Sequence, residues 1–303
     1  MQLFTNIHAP IQPLTDKITR LHNVSLAIKR EDLNHPDIMG NKLRKLKYNI
    51  IDAKHKNKPA ILSFGGAYSN HILALSAAGR LFNLPTIGVI RGEELQNTVL
   101  NPVLSRAKAN GMKLRFITRE QYKNKNDPSF IKDLHASLGD FSLIPEGGSN
   151  ELGVKGAAEI LADVDDQYDV IACACGTGGT LAGLIQGVHD YGLQPQLVIG
   201  FSVLKENSPV REDIKKLLSP KLRQSVDWQI NTDYHFGGYA KNNQVLLDFI
   251  RWFKVTHGID LDYIYTGKMM FGIYNLIQSG SFHDGCRILT IHTGGTQTAS
   301  VDV

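Results

Sequence analysis

The sequence predicts an α/β fold of mostly parallel strands covered by helices. Three observations carry this expectation. Several short, continuous apolar runs suit strands buried on both faces. Each is followed by a glycine-rich turn, and stretches of helical periodicity lie between them. With 303 residues, the chain can bury a large core and divide into two domains.

Taken in order, a strand-like segment at 25–30 leads through Glu31-Asp32 to a helix carrying Leu43, Leu46 and Ile50. The run 60–64 precedes Gly65-Gly66, and a helix over 71–81 follows Ser69-Asn70. The run 86–90 ends at Arg91-Gly92, and a helix over 97–110 closes at Gly111. The run 169–175 meets Gly176, and a helix over 180–191 closes at Gly192. A run at 197–202, an amphipathic helix over 241–257 closed by Gly258, and a final run at 287–292 complete the pattern. Alternation of this kind implies right-handed crossovers, with ligands at the carboxyl ends of the strands.

A net charge of +4 without a long basic stripe gives no nucleic-acid signature. The densest basic run, residues 54–58, reads as a solvated helix end. The first ten residues lack a secretory pattern, no run approaches a membrane span, and three cysteines suit a reducing, cytoplasmic setting. Cys173-x-Cys175 lies in an apolar strand without further ligands at workable spacing, so no metal site is expected.

Five motifs could carry chemistry. In Gly40-Asn41-Lys42-Leu43-Arg44-Lys45, Lys42 stands at a glycine turn where a helix begins. The positive end of the helix dipole and burial both favour its neutral amine, which can condense with an aldehyde and act as a base. The bland alternative is three cations on an exposed helix. In Gly65-Gly66-Ala67-Tyr68-Ser69-Asn70-His71, Ser69 and Asn70 are helix caps, or else the turn's amides hold a substrate carboxylate, the Ser69 hydroxyl relays a proton and Asn70 bonds a phenolic oxygen. His71 is a structural histidine or an acid–base group. Gly176-Thr177-Gly178-Gly179-Thr180 follows a strand and opens a helix, as a phosphate cradle does. It matches neither a Walker loop nor a dinucleotide fingerprint. Tyr265-Thr266-Gly267-Lys268 and His292-Thr293-Gly294-Gly295-Thr296 offer a phenol and hydroxyls that alone read as structural.

Together, and in this order, the five motifs resemble the family of 1-aminocyclopropane-1-carboxylate deaminase and D-cysteine desulfhydrase. The likeness runs from about Lys29 to Gly295. It implies a tryptophan-synthase-β-like fold (pyridoxal-phosphate fold type II) with two open, twisted, mostly parallel sheets. The large domain is expected to comprise 1–50 and 150–303, with a smaller inserted domain at 51–149. The implied cofactor is pyridoxal 5′-phosphate, and the implied assembly is a homodimer. By the resemblance, Lys42 binds the cofactor covalently and Asn70 hydrogen-bonds its 3′-oxygen. Thr177, Gly178, Gly179 and Thr180 hold its phosphate, while Thr266 and Thr293 lie near its ring nitrogen. Ser69, Tyr68, His71 and Tyr239 face the substrate, and Tyr265 and Ser69 assist Lys42 in catalysis. The chain departs from the family pattern at Met39, at Tyr68 where glutamine is usual, and at Asp262-Tyr263-Ile264-Tyr265. Tyr68 is expected to reshape the carboxylate pocket.

Thr266 stands where the deaminases carry glutamate. A carboxylate at the ring nitrogen keeps it protonated and makes the ring a strong electron sink. Opening a cyclopropane expels carbon and needs that sink; expelling a thiolate manages with a weaker one. The favoured activity is therefore β-elimination from D-cysteine to pyruvate, ammonia and sulfide, in keeping with a lyase, deaminase or hydrolase description. The alternatives are cyclopropane deamination, another D-amino-acid lyase activity, or a catalytically silent cofactor-binding protein.

Overall fold

The computed structural model describes residues 4, 7–164, 167–205 and 208–296. Two sheets organise it. The larger runs β1 (Ile11–Leu14), β2 (Ser25–Lys29), β10 (Arg287–Ile291), β7 (Val170–Cys175), β8 (Leu197–Ser202) and β9 (Trp228–Asn231) in spatial order. All its pairings are parallel except that of β1 with β2. The smaller, wholly parallel sheet runs β5 (Lys113–Ile117), β4 (Thr86–Arg91), β3 (Ile61–Gly65) and β6 (Ser142–Ile144). Continuous burial along β3 and β7 is what helices on both faces produce.

Every apolar run read as a strand is a strand. β1, β5, β6 and β9 were not read as such. β5 lies at an edge and alternates exposed Lys113 and Arg115 with half-buried neighbours, so it offers no continuous apolar run. Two helix starts move inward because an asparagine caps each. Asn101 accepts from Leu104 N, starting the helix at Pro102 rather than at 97. Asn243 accepts from Leu246 N, starting α5 (Gln244–His257) three residues later than its periodicity suggests.

The elements that position the site are α1 (Asn41–His55), α2 (Asn70–Phe82), α3 (Glu151–Ala158), α4 (Gly179–Asp190) and α6 (Thr266–Gln278). α1 begins at Gly40 because only glycine fits there: φ is +72°, and a Cβ would lie 2.0 Å from the Thr293 carbonyl oxygen. α1 is not the exposed cationic helix of the bland reading, since Arg44 and Lys45 are both buried. Arg44 pairs with fully buried Glu31 through Nε–Oε2 at 3.0 Å and Nη2–Oε1 at 2.8 Å. Removing one partner leaves a buried charge uncompensated. Glu31→Ala is therefore expected to lower the unfolding free energy by about 3–5 kcal/mol, read as a shift in urea midpoint; an unchanged midpoint would show that the pair does not anchor α1.

Candidate active site

The carboxyl ends of β3, β4, β7 and β10 converge on a cavity of about 290 Å³ between the sheets. All five motifs contribute to its wall. Lys42 stands in the first turn of α1, its amine donating to Asn41 Oδ1 at 3.1 Å. Burial pushes Lys42 down to about 8. This is the direction expected from the sequence, and desolvation is its cause.

The 176–180 turn enters α4 at Gly178, an N-cap residue that brings no side-chain cap. Thr177 Oγ1 meets Ser149 Oγ at 2.6 Å, and Thr180 Oγ1 accepts from Asn41 Nδ2 at 2.7 Å. Gly179 leaves room for two side chains, since a Cβ there would lie 2.6 Å from both Lys45 Nζ and Ser149 Oγ. Lys45, one turn after Lys42 on the same helix face, thus reaches the cradle. It is 1% exposed, and its amine donates to Ser149 Oγ at 3.2 Å. Burial and the neighbouring Lys42 hold it well below the usual lysine range. The sequence analysis assigns no lysine to this cradle; the fold brings Lys45 to it. Its spacing from Lys42 was the available signal.

Ser69 caps α2, its Oγ accepting from Ile72 N at 3.3 Å, and Asn70 follows in the wall. His71 also reaches the wall, with Nε2 at 2.8 Å from Ser63 Oγ and Nδ1 buried without a partner. Burial, then Lys42 and Lys45, keep it neutral. Tyr68 is 53% exposed and is not among the lining residues: the chain turns before the Ser69 cap and leaves the ring largely at the surface.

Tyr265 and Tyr239 face the cavity as an edge-on pair, with centroids 6.1 Å apart. Burial holds the Tyr265 phenol well above its usual range. Thr293 lines the wall, but Thr266 does not. Thr266 is fully buried, and its hydroxyl donates to Asp262 Oδ2 at 2.6 Å. The same carboxylate accepts from the backbone of Ile264, Tyr265 and Thr266, so Asp262 fixes the start of α6. His292 is wired to the fold, with Nε2 on Asp260 O and Nδ1 accepting from Gly294 N. Arg91 and Glu146, from the smaller sheet, complete the wall and were not singled out from sequence.

Cys173 and Cys175 are buried in β7, their thiols raised by desolvation. At the opposite end of that sheet, Asp169, His283 and Cys286 approach within 4.8 Å of one another. The Asp169 carboxylate is already engaged there by Arg287 N and Gln196 Nε2.

The cavity therefore holds two amines, Lys45 buried and Lys42 partly so, neither ion-paired among the described residues, together with an unpartnered imidazole nitrogen and a glycine cradle at a helix N-terminus. Burying such amines is costly unless an anion joins them. Fold and site together define an α/β enzyme whose cavity fits a phosphate-bearing aldehyde. Pyridoxal phosphate is such an aldehyde. The chain belongs to the pyridoxal-phosphate dependent enzyme family, whose model matches residues 8–294. A putative 1-aminocyclopropane-1-carboxylate deaminase of Pyrococcus horikoshii is 31% identical over 300 residues, covering 94% of this chain and 89% of that protein. The mitochondrial bifunctional D-cysteine desulfhydrase/1-aminocyclopropane-1-carboxylate deaminase of Arabidopsis thaliana is 29% identical over 296 residues, covering 90% and 73%. The crystal structure of an ACC deaminase homologue superposes with a TM-score of 0.81 at 29% identity, covering 96% and 90%. The protein is a pyridoxal-phosphate-dependent enzyme of the tryptophan-synthase-β-like fold. The hydrolase description falls away, since these relatives are named for desulfhydration and deamination.

Proposed function

We propose that the protein eliminates sulfide from D-cysteine, giving pyruvate and ammonia. One observation carries this reading over cyclopropane opening. The wall residues contributed by 262–266 and 292–294 are Tyr265, Thr293 and Gly294, none of them acidic. A weak electron sink suffices for a thiolate leaving group and not for a carbon one. Of the two threonines, only Thr293 brings its hydroxyl to the wall, because Thr266 is engaged by Asp262. The bifunctional relative supports both activities within one family.

Bound pyridoxal phosphate supplies the sink that acidifies the substrate Cα–H. Lys42 is the base that takes this proton; with its pKa near 8, a useful fraction of the amine is neutral at physiological pH. The amides and hydroxyl at the start of α2, Ser69 foremost, hold the substrate carboxylate. Tyr265 stays protonated and serves as hydrogen-bond donor to the departing sulfur, with Tyr239 beside it. Lys45 and the 177–180 cradle hold the phosphate, and Asn70 orients the ring. The smaller sheet and its helices, within 51–149, form a second domain whose closure on the larger one excludes water. The enzyme works as a cytoplasmic homodimer; among the described residues, no helix is long and apolar enough to cross a membrane.

The test is addition of D-cysteine to the loaded protein. Sulfide and pyruvate are expected in equal amounts, with slower or no turnover of 1-aminocyclopropane-1-carboxylate. Faster turnover of the cyclopropane would sink the reading, and turnover of neither would point to another amino acid or to a silent binder.

A further inference from the structure

Lys268 is the charged member of the Tyr265-Thr266-Gly267-Lys268 motif, and the reaction above leaves it unused. It lies in the first turn of α6 and is 1% exposed. Its Nζ donates two hydrogen bonds of 2.8 Å, to the carbonyl oxygens of His235 and Gly238. An ammonium group, with several donors and no acceptor, suits a point where two carbonyls converge.

The segment it grips is poorly supported by its own backbone. Phe236, Gly237, Gly238 and Ala240 all have positive φ, at 52°, 90°, 114° and 56°. Phe236 and Ala240 are not residues that adopt this region freely, so surrounding contacts must hold them there. Gly238 N donates to His235 O at 3.0 Å, and Lys241 N donates to Gly238 O at 3.1 Å. The two carbonyls that Lys268 binds are thus the closing acceptors of two successive turns. Tyr239 falls between them, in the cavity wall and edge-on to Tyr265. Tyr265 stands three residues before Lys268 and is fixed by Asp262. One turn of α6 therefore sets one tyrosine directly and reaches the other through an ammonium group.

We propose that Lys268 is a positioning residue that locks the 235–241 turns so that Tyr239 meets the substrate alongside Tyr265. The substrate-facing role of Tyr239 rests on the reaction proposed above; the locking of the turns does not.

The test is Lys268→Met, which keeps length and removes the donors, in cofactor-loaded protein. Hydrogen exchange at the amides of Gly238 and Lys241 is expected to accelerate by about tenfold or more, with exchange in β7 and α4 unchanged. The KM for D-cysteine is expected to rise about tenfold, with kcat moving less than about threefold. In a Tyr239→Ala background, adding Lys268→Met should change KM little further, because both substitutions remove one effect. Unchanged exchange in these turns would overturn the proposal. So would effects on KM that multiply in the double variant, since Lys268 would then act independently of Tyr239. Should Lys268→Met fail to fold, Lys268→Gln, whose amide falls one bond short of the two carbonyls, is expected to accelerate exchange at the same amides to a lesser degree; wild-type exchange there would overturn the proposal. Exchange needs no turnover, so it decides the locking role even if D-cysteine is not the substrate.

Discussion

Lys42→Ala is expected to abolish turnover and the absorbance of cofactor held covalently, while leaving the fold intact. The proposed reaction gives this amine two tasks, joining the aldehyde and taking the proton from Cα, so removing it removes two functions together. Loss of a positioned base alone lowers rates by about 10²–10⁴-fold, and loss of the covalent attachment adds to this. Retention of the absorbance band or of turnover would show that another residue holds the cofactor. The wild-type protein carries a linked signature. Burial brings Lys42 to about 8 from an ordinary 10.5. At pH 7 this leaves about a tenth of the amine neutral, against about 0.03% for an exposed lysine. Loading of cofactor-stripped protein is expected to quicken as pH rises and to level off above about 8. The stability term has a definite sign. The folded state releases this proton more readily than the unfolded chain, so Lys42 destabilises the cofactor-free fold below about pH 8. That penalty fades as pH climbs from about 8 towards 10.5.

Lys45→Met is expected to act in opposite directions on the two forms of the protein. In the cofactor-free form it removes a buried amine that lacks a carboxylate partner, so the protein should resist urea or heat better than wild type. In the loaded form it removes a charge-assisted contact to the phosphate. Such a contact contributes about 1.5–3 kcal/mol, so cofactor affinity is expected to fall about 10- to 100-fold. Lys42 remains, so the absorbance of bound cofactor should be recovered at high cofactor concentration. Equilibrium titration and thermal unfolding of both forms read the two effects. A variant that binds cofactor as tightly as wild type would place the phosphate away from Lys45.

The strands at the centre of both sheets were legible because parallel strands buried on two faces read as unbroken apolar runs. β5 was not, because an edge strand exposes Lys113 and Arg115 and loses that mark. Lys42 and the 176–180 turn were legible for a local reason: a residue beside a glycine turn, at a helix start, has its environment largely set by its immediate neighbours. The five motifs in order were enough to identify the family.

What neighbours in sequence do not set, only the assembled fold decided. Tyr68 is adjacent to Ser69 yet faces solvent, because the chain turns before the helix cap. Thr266 is adjacent to Tyr265 yet is turned inward, because Asp262 takes its hydroxyl. Lys45 becomes part of the cradle only when the glycine turn of β7 folds against α1, across about 130 residues of chain. Arg91 and Glu146 reach the cavity only because the smaller sheet stands opposite the larger. Residue type and local spacing determine which groups can do this chemistry; which of them face the cavity depends on long-range packing, whose contacts are made by residues distant in sequence.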